Sequence, residues 1–146
     1  MATSRAYGNL ARALFEGKVD WANHDVRVML VSNAYAPNQD AHDYLDDVSA
    51  FEVTGTGYTA GGKALTGKTS TYDPANNVLV LDAADVVWAN STITARYGIL
   101  YNNTGAAAGS KPLIAYVDLI SEQASTEGDL AIEWDASGII RVNVAA

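Results

Sequence analysis

The sequence has no cysteine, few basic residues and no long apolar run, and each lack excludes a class of protein. Without cysteine, neither a disulfide framework nor a thiolate metal site can form, a composition typical of folding in a reducing cytosol. Nine Lys and Arg against 17 Asp and Glu give a net charge of −8, and the basic residues are scattered singly. Nucleic-acid binding needs clustered positive charge. We therefore expect no nucleic-acid partner.

Membrane insertion and export are not expected either. No apolar run approaches the roughly 20 residues of a membrane-spanning helix, and residues 1–5 lack the apolar core of a signal peptide. What is present is a chain of 146 residues, 49% hydrophobic. A chain of this length suffices for one domain with a substantial core. We expect a single domain over residues 1–146, with residues 1–20 as an N-terminal segment that contains a short helix.

The clearest strand pattern covers residues 93–101. Ile93, Tyr97 and Ile99 fall on one face of an extended chain, whereas Thr94 and Arg96 fall on the other. This alternation predicts a strand with one buried face and one wet face.

The remaining segments favour an all-β fold. Residues 7–16 have the one helical apolar spacing, and Asp135 and Gly138 suit a type I turn between two alternating segments. The predicted strands cover residues 26–32, 48–54, 65–72, 78–81, 86–88, 93–101, 113–120, 130–134 and 140–144. The valine-rich run at 26–32 is strongly apolar and predicts a strand buried on both faces. Residues 65–72 with 78–81, and 130–134 with 140–144, are predicted to form hairpins. The fold class is therefore a single-domain antiparallel β-sandwich, jelly-roll or Ig-like, with about eight or nine short strands and one short N-terminal helix.

One motif matches a nucleotide-binding pattern letter for letter. The letters GKALTGKT at residues 62–69 fit the phosphate loop G-x-x-x-x-G-K-[ST]. That loop needs a buried strand before it and a helix after it, but Gly- and Thr-rich residues precede the motif and residues 70–74 do not start a helix. We interpret the match as part of a β-hairpin arm and expect Lys68 to be an exposed side chain.

No other pattern predicts catalysis or a cofactor. Carboxylates at Asp40, Asp43, Asp46 and Asp47 could attract calcium, but the spacing of a calcium loop is lacking, which favours a solvated acidic loop. His24 and His42 each lie near aspartates without a catalytic motif, and no nucleophile elbow occurs. We expect no catalytic, cofactor-binding or metal-binding residues, and a protein that is not an enzyme.

Several segments resemble a family of small virion proteins of tailed bacteriophages. They follow the same order over nearly the whole chain, and they read GKVDW at 17–21, VRVMLVS at 26–32, YAPNQDAHDY at 35–44, GTGYTAGG at 55–62, DAADVVW at 82–88, PLIAYVD at 112–118 and WDASGI at 134–139. The resemblance implies a non-enzymatic structural component of the virion, assembled in the bacterial cytoplasm. A capsid decoration or head-associated protein is the first expectation. A neck, tail or fibre-associated protein, or a carbohydrate- or receptor-binding β-module, is the alternative.

The expected partners are other virion proteins, either the major capsid protein or neck and tail proteins, and further copies of the chain. Tyr7, Leu10, Leu14 and Phe15 are the candidate interaction residues, because they are more apolar than a freely solvated N-terminal tail should be.

Overall fold

A computed structural model describes residues 2–145, which contain eight β-strands, one α-helix and three single-turn 3-10 helices. The strands are β1 (Thr3–Ala6), β2 (Val26–Val31), β3 (Lys63–Ala64), β4 (Thr69–Asp73), β5 (Val78–Asp82), β6 (Val86–Asn102), β7 (Leu113–Ile132) and β8 (Ile140–Asn143). Helix α1 comprises Leu10–Phe15, and the 3-10 helices comprise Leu45–Asp47, Ser49–Phe51 and Ala108–Ser110. No helix within residues 2–145 is long and apolar enough to span a membrane. The predicted all-β class with one short helix is confirmed.

The strands form two antiparallel sheets that share a core. The larger sheet has the order β1-β7-β6-β2-β3, and the smaller has the order β4-β5-β8. Leu81 and Ile140 of the smaller sheet belong to the same buried cluster as Val28, Leu100 and Val117 of the larger sheet. Since burial of apolar side chains is the main favourable term in folding, this shared cluster holds the two sheets together. The predicted sandwich-like single domain is confirmed.

Strand β2 is buried on both faces, as its continuous apolar sequence predicts. Val28 and Leu30 point into the core between the sheets, whereas Met29 and Val31 point into a second buried cluster. That second cluster is completed by Tyr35, Leu45 and Val48 from the segment that follows β2. The larger sheet is therefore covered on one face by the smaller sheet and on the other by residues 35–51.

Strands β6 and β7 are longer than the sequence predicts. Residues 86–88 and 93–101 belong to one strand of 17 residues, and residues 113–120 and 130–132 belong to one strand of 20 residues. Register shifts interrupt their pairing at four places, and Asn90 (φ 50°) and Glu127 (φ 47°) adopt left-handed backbone conformations there. Bulges of this kind absorb extra residues and bend a strand without ending it.

Two segments differ from the predicted strands. Residues 45–51 form two 3-10 helices where a strand over 48–54 was predicted, because Leu45, Val48 and Phe51, three residues apart, pack toward the second cluster. The predicted hairpin of 130–134 with 140–144 is wrong. Its turn forms, with a 2.9 Å hydrogen bond from Gly138 N–H to the Asp135 carbonyl, but β8 pairs with β5 in the other sheet.

The N-terminal segment is an integral part of the fold. Strand β1 pairs with β7 from Thr3 opposite Asp118 to Ala6 opposite Ala115. The backbone N–H of Tyr7 then donates to the carbonyl of Ile114 at 3.1 Å. Helix α1 is shorter than the predicted 7–16, since Tyr7 is held by this sheet-like contact.

Candidate interaction surface

Helix α1 presents one face to the core and leaves its last residue outside. Leu10 and Ala13 are buried, and Leu14 packs against the core from its edge. At 100° per residue, Phe15 lies about 140° around the helix from Leu10, so it points away from the core. Its exposed fraction is 93%.

A glycine cap fixes where the helix ends. The N–H of Gly17 donates to the Leu14 carbonyl at 3.2 Å, and the N–H of Lys18 donates to the Ala13 carbonyl at 2.9 Å. Gly17 adopts φ 73°, and no atom lies within 4 Å of a Cβ placed there, so the left-handed backbone rather than crowding favours glycine. The cap holds Phe15 at a defined point and turns the chain toward the smaller sheet.

Trp21 anchors the segment after this cap. Its indole Nε1 donates to the Thr69 carbonyl at 3.0 Å, and the ring is 5% exposed. Asp20 shapes the turn that follows, because its Oδ1 accepts from the backbone N–H groups of Ala22 and Asn23, both at 3.1 Å. Hydrogen bonds from Asn23 hold the pKa of the Asp20 carboxyl below its ordinary value.

An open apolar groove lies between this capped segment and the smaller sheet. Its volume is about 590 Å³. Its apolar surface comes from Leu14, Val19, Trp21, Leu79, Leu81 and Val142. Phe15 also borders it. Contiguous exposed apolar surface of this kind is typical of sites where a protein contacts another protein or a ligand. We call this groove together with Phe15 the α1 groove surface.

The charged residues that adjoin Phe15 in the chain are paired with one another. Glu16 pairs with Arg12 at 2.8 Å and with Lys18 at 3.0 Å. Hydrogen bonds from Arg12 and then Lys18 lower the pKa of the Glu16 carboxyl. Among the residues that line the groove itself, Asp20 is the one Asp, Glu, Lys or Arg.

The four residues predicted to contact a partner lie in different environments. Tyr7 and Leu10 are 1% and 3% exposed, so they are core residues in this conformation, whereas Leu14 is half-buried. Phe15 is the one member that projects fully into solvent. Leu79 and Val142 were missed because they are distant in sequence from the helix, and Trp21 was missed although it is six residues from Phe15. The apolar side chains on both faces of β5 were a signal.

Tyr7 instead belongs to a buried polar chain. Its hydroxyl lies 2.8 Å from the hydroxyl of Tyr35, which lies 2.8 Å from Nδ1 of His42. Burial raises the pKa of Tyr7 above its ordinary range and that of Tyr35 to about 12. The side chain of His42 thus has a structural role, because it forms a hydrogen bond with the Tyr35 hydroxyl.

One carboxylate of the acidic loop is hydrogen-bonded to the backbone of the same loop. Asp47 Oδ2 accepts from the N–H groups of Asp43 at 2.9 Å and Tyr44 at 3.3 Å. Burial and then the nearby Asp47 carboxylate raise the pKa of Asp43. Asp40 and Asp46 are exposed. Among residues 2–145, no three His, Asp or Glu side chains come together as metal ligands.

The phosphate-loop match lies in extended backbone. It covers β3, a turn at Gly67 and the first residue of β4, so a strand follows where a phosphate loop has a helix. Lys68 was expected to be exposed, but it is half-buried and its Nζ donates to the carbonyl of His24. His24 accepts on Nδ1 from the backbone N–H of Asp20 at 3.0 Å and lies 2.8 Å from Nδ2 of Asn102. Lys68 and His24 thus serve the packing of the two sheets.

Comparison with protein-family models, curated proteins and solved structures gave no significant match. The function is therefore argued from the resemblance in the sequence and from the α1 groove surface.

Proposed function

We propose that the protein is a non-enzymatic structural component of a tailed-bacteriophage virion, bound to the head as a capsid decoration or head-associated protein. The observation that carries the proposal is the α1 groove surface. A fully exposed phenylalanine beside an open apolar groove suits a chain that assembles into a larger structure, through copies of itself or through other virion proteins, because solvent contact with apolar surface is unfavourable.

The segments that resemble phage virion proteins support the proposal by their positions. Several of their residues are ones the fold requires. A Cβ on Gly62 would lie 1.9 Å from the Val28 carbonyl oxygen, so a larger residue cannot replace it without moving β2. Trp134 Nε1 donates to the Ala84 carbonyl at 3.0 Å, and its N–H donates to Asp85 at 2.8 Å. The resemblance therefore concerns how the chain folds and packs.

Assembly into a particle would make such a domain more durable than it is alone. Small domains have free energies of unfolding of about 5–15 kcal/mol, and any partner that binds the folded form adds to this by mass action. In a repeated lattice, many weak contacts become one long-lived attachment. A structural role thus needs apolar contact surface rather than a catalytic cleft.

The test is to find the protein in purified particles. We expect it to copurify with virions through a density gradient, in many copies per particle, and gold-labelled antibody to mark the head. Label confined to the neck, tail or fibres would place the protein in the alternative position. Its absence from purified particles, together with saturable binding to a glycan array, would replace the proposal with the carbohydrate-binding alternative.

A further inference from the structure

We propose that the partner at the α1 groove surface is a second copy of this chain, in a two-fold symmetric dimer. Phe15 of each copy lies in the groove of the other. This assigns an interface and a symmetry that the virion proposal does not contain, and it can be measured on the purified protein alone.

The projecting side chain and the groove lie on the same surface of the molecule. In a two-fold dimer both copies use the same patch, so a residue and the surface it contacts must both belong to that patch on each chain. Phe15 is 93% exposed and borders the groove directly. An aromatic side chain buries roughly 150–250 Å², and a groove of about 590 Å³ offers room for one. The patch is therefore complementary to itself.

The low charge around the groove favours a second copy of this acidic chain. Two chains of charge −8 repel each other over most of their surfaces. Beside Phe15, Arg12 and Lys18 pair with Glu16, and Asp20 is the one Asp, Glu, Lys or Arg that lines the groove. Two copies can therefore meet here with less repulsion than elsewhere on their surfaces. A strongly basic partner, in contrast, would be drawn to the acidic parts of the surface.

Both halves of the contact are already rigid. The Gly17 cap fixes the end of the helix that carries Phe15, and the Trp21 bond to the Thr69 carbonyl fixes one wall of the groove. A preorganised surface loses little conformational freedom on association, which favours a stable dimer.

The first experiment measures self-association by sedimentation equilibrium over a range of protein concentrations. We expect a monomer–dimer equilibrium, which Phe15→Ser weakens by about tenfold or more, as for a central aromatic in an interface. Ala22→Arg should have a similar effect, because Ala22 is an exposed small residue on the groove wall. Thermal unfolding of each variant verifies that it is folded.

Ile120→Ser is the matched control. Ile120 is 82% exposed but lies in β7, away from the groove, so this variant should dimerise like the wild type. The proposal would be overturned if Ile120→Ser dissociated the dimer while the Phe15→Ser protein dimerised like the wild type. So would a wild-type protein that stays monomeric at every concentration.

A mixing experiment tests the reciprocal contact. Phe15→Ser retains the groove residues other than Phe15 itself, and Ala22→Arg retains Phe15, so each variant lacks both contacts with its own copies. Their mixture can form one of the two contacts, and we expect heterodimers at concentrations where each variant alone is mostly monomeric. No heterodimer would contradict the proposed geometry.

The salt dependence of the affinity distinguishes a second copy of this chain from a basic partner. Added salt screens repulsion between the acidic chains, so the dimer should tighten from low to moderate salt. Weakening with salt would overturn the proposal. If the purified protein is monomeric and Phe15→Ser instead abolishes binding to virions, the groove holds a virion protein; the dimer is then wrong while the virion proposal stands.

Discussion

The hydroxyl oxygen of Tyr7 lies 2.8 Å from the hydroxyl oxygen of Tyr35, with both rings buried against the larger sheet. Tyr7 follows the first strand, whereas Tyr35 begins the segment that covers the sheet's second face. The contact therefore ties the N-terminal segment to the layer of residues 35–51. It explains why an apolar N-terminal segment is not a free tail.

Replacing Tyr7 with Phe should destabilise the fold. The variant keeps the ring but removes one buried hydrogen bond, which should cost about 1 kcal/mol in the free energy of unfolding. Tyr72→Phe is the control, because Tyr72 is 49% exposed and its hydroxyl bonds to Asn77 on the surface. Urea unfolding monitored by tryptophan fluorescence measures both. Equal effects in the two variants would contradict the role given to the buried pair.

Stability should fall at alkaline pH. Burial raises the pKa of Tyr35 and of Tyr101 to about 12, whereas the ordinary value for tyrosine is near 10. Above pH ~10 the unfolded chain releases these protons and the folded chain retains them, so the unfolded state binds fewer protons and stability decreases with pH. The loss should run from about pH 10 to about pH 12, as measured by urea midpoints at successive pH values. Constant stability across this window would show that these tyrosines are not buried.

Replacing Ile120 with glycine is expected to stabilise the fold. It has φ 72°, an unfavourable backbone conformation for a β-branched residue, and lies in the irregular stretch where β7 loses its register with β6. Ile120→Gly should raise the free energy of unfolding by about 1 kcal/mol. Val87→Gly, at an exposed strand position of β6, should lower it by roughly 0.5–1 kcal/mol. Opposite signs in denaturant unfolding are the expected result, and equal losses would contradict it.

Lys68 should contribute to the free energy of unfolding and should not bind nucleotides. Lys68→Ala removes the bond from Nζ to the His24 carbonyl, which should cost roughly 0.5–1.5 kcal/mol. ATP with magnesium should shift the melting temperature of neither wild type nor variant. A saturable shift in the wild type that Lys68→Ala abolishes would show that the phosphate-loop match is a real site.

Local patterns in the sequence predicted the parts of the fold that depend on local chemistry. The apolar run at residues 26–32 predicted a strand buried on both faces, and β2 is such a strand. The single wet face predicted for residues 93–101 is correct only for residues 93–95. A register shift between Ala95 and Tyr97 places Ile99 on the opposite face from Ile93, and the expected wet-face residues Gly98 and Leu100 are buried. The turn with Asp135 and Gly138 also forms as predicted. Each of these features follows from side-chain direction or backbone preference within a few residues.

The pairing of β4 with β5 was predicted correctly, because a short turn joins the two strands. Pairing between strands distant in sequence could not be predicted, because the same local signals fit several partners. The turn after Trp134 carries the residues of a hairpin, but Trp134 is hydrogen-bonded to Asp85 and Ala84, and the chain crosses to the other sheet. For the same reason the groove was not visible in the sequence. Phe15 and Leu79 border it from different elements, and of the groove residues only Leu14 and Phe15 were among the predicted contact residues.

A structural role in the virion can be tested by electron cryomicroscopy of purified particles. We expect density matching this eight-stranded domain in many copies on the head surface, and we expect particles made without the protein to lack it. Particles with no such density at any position, and with no trace of the chain by mass spectrometry, would show that the protein is not a structural component of the virion.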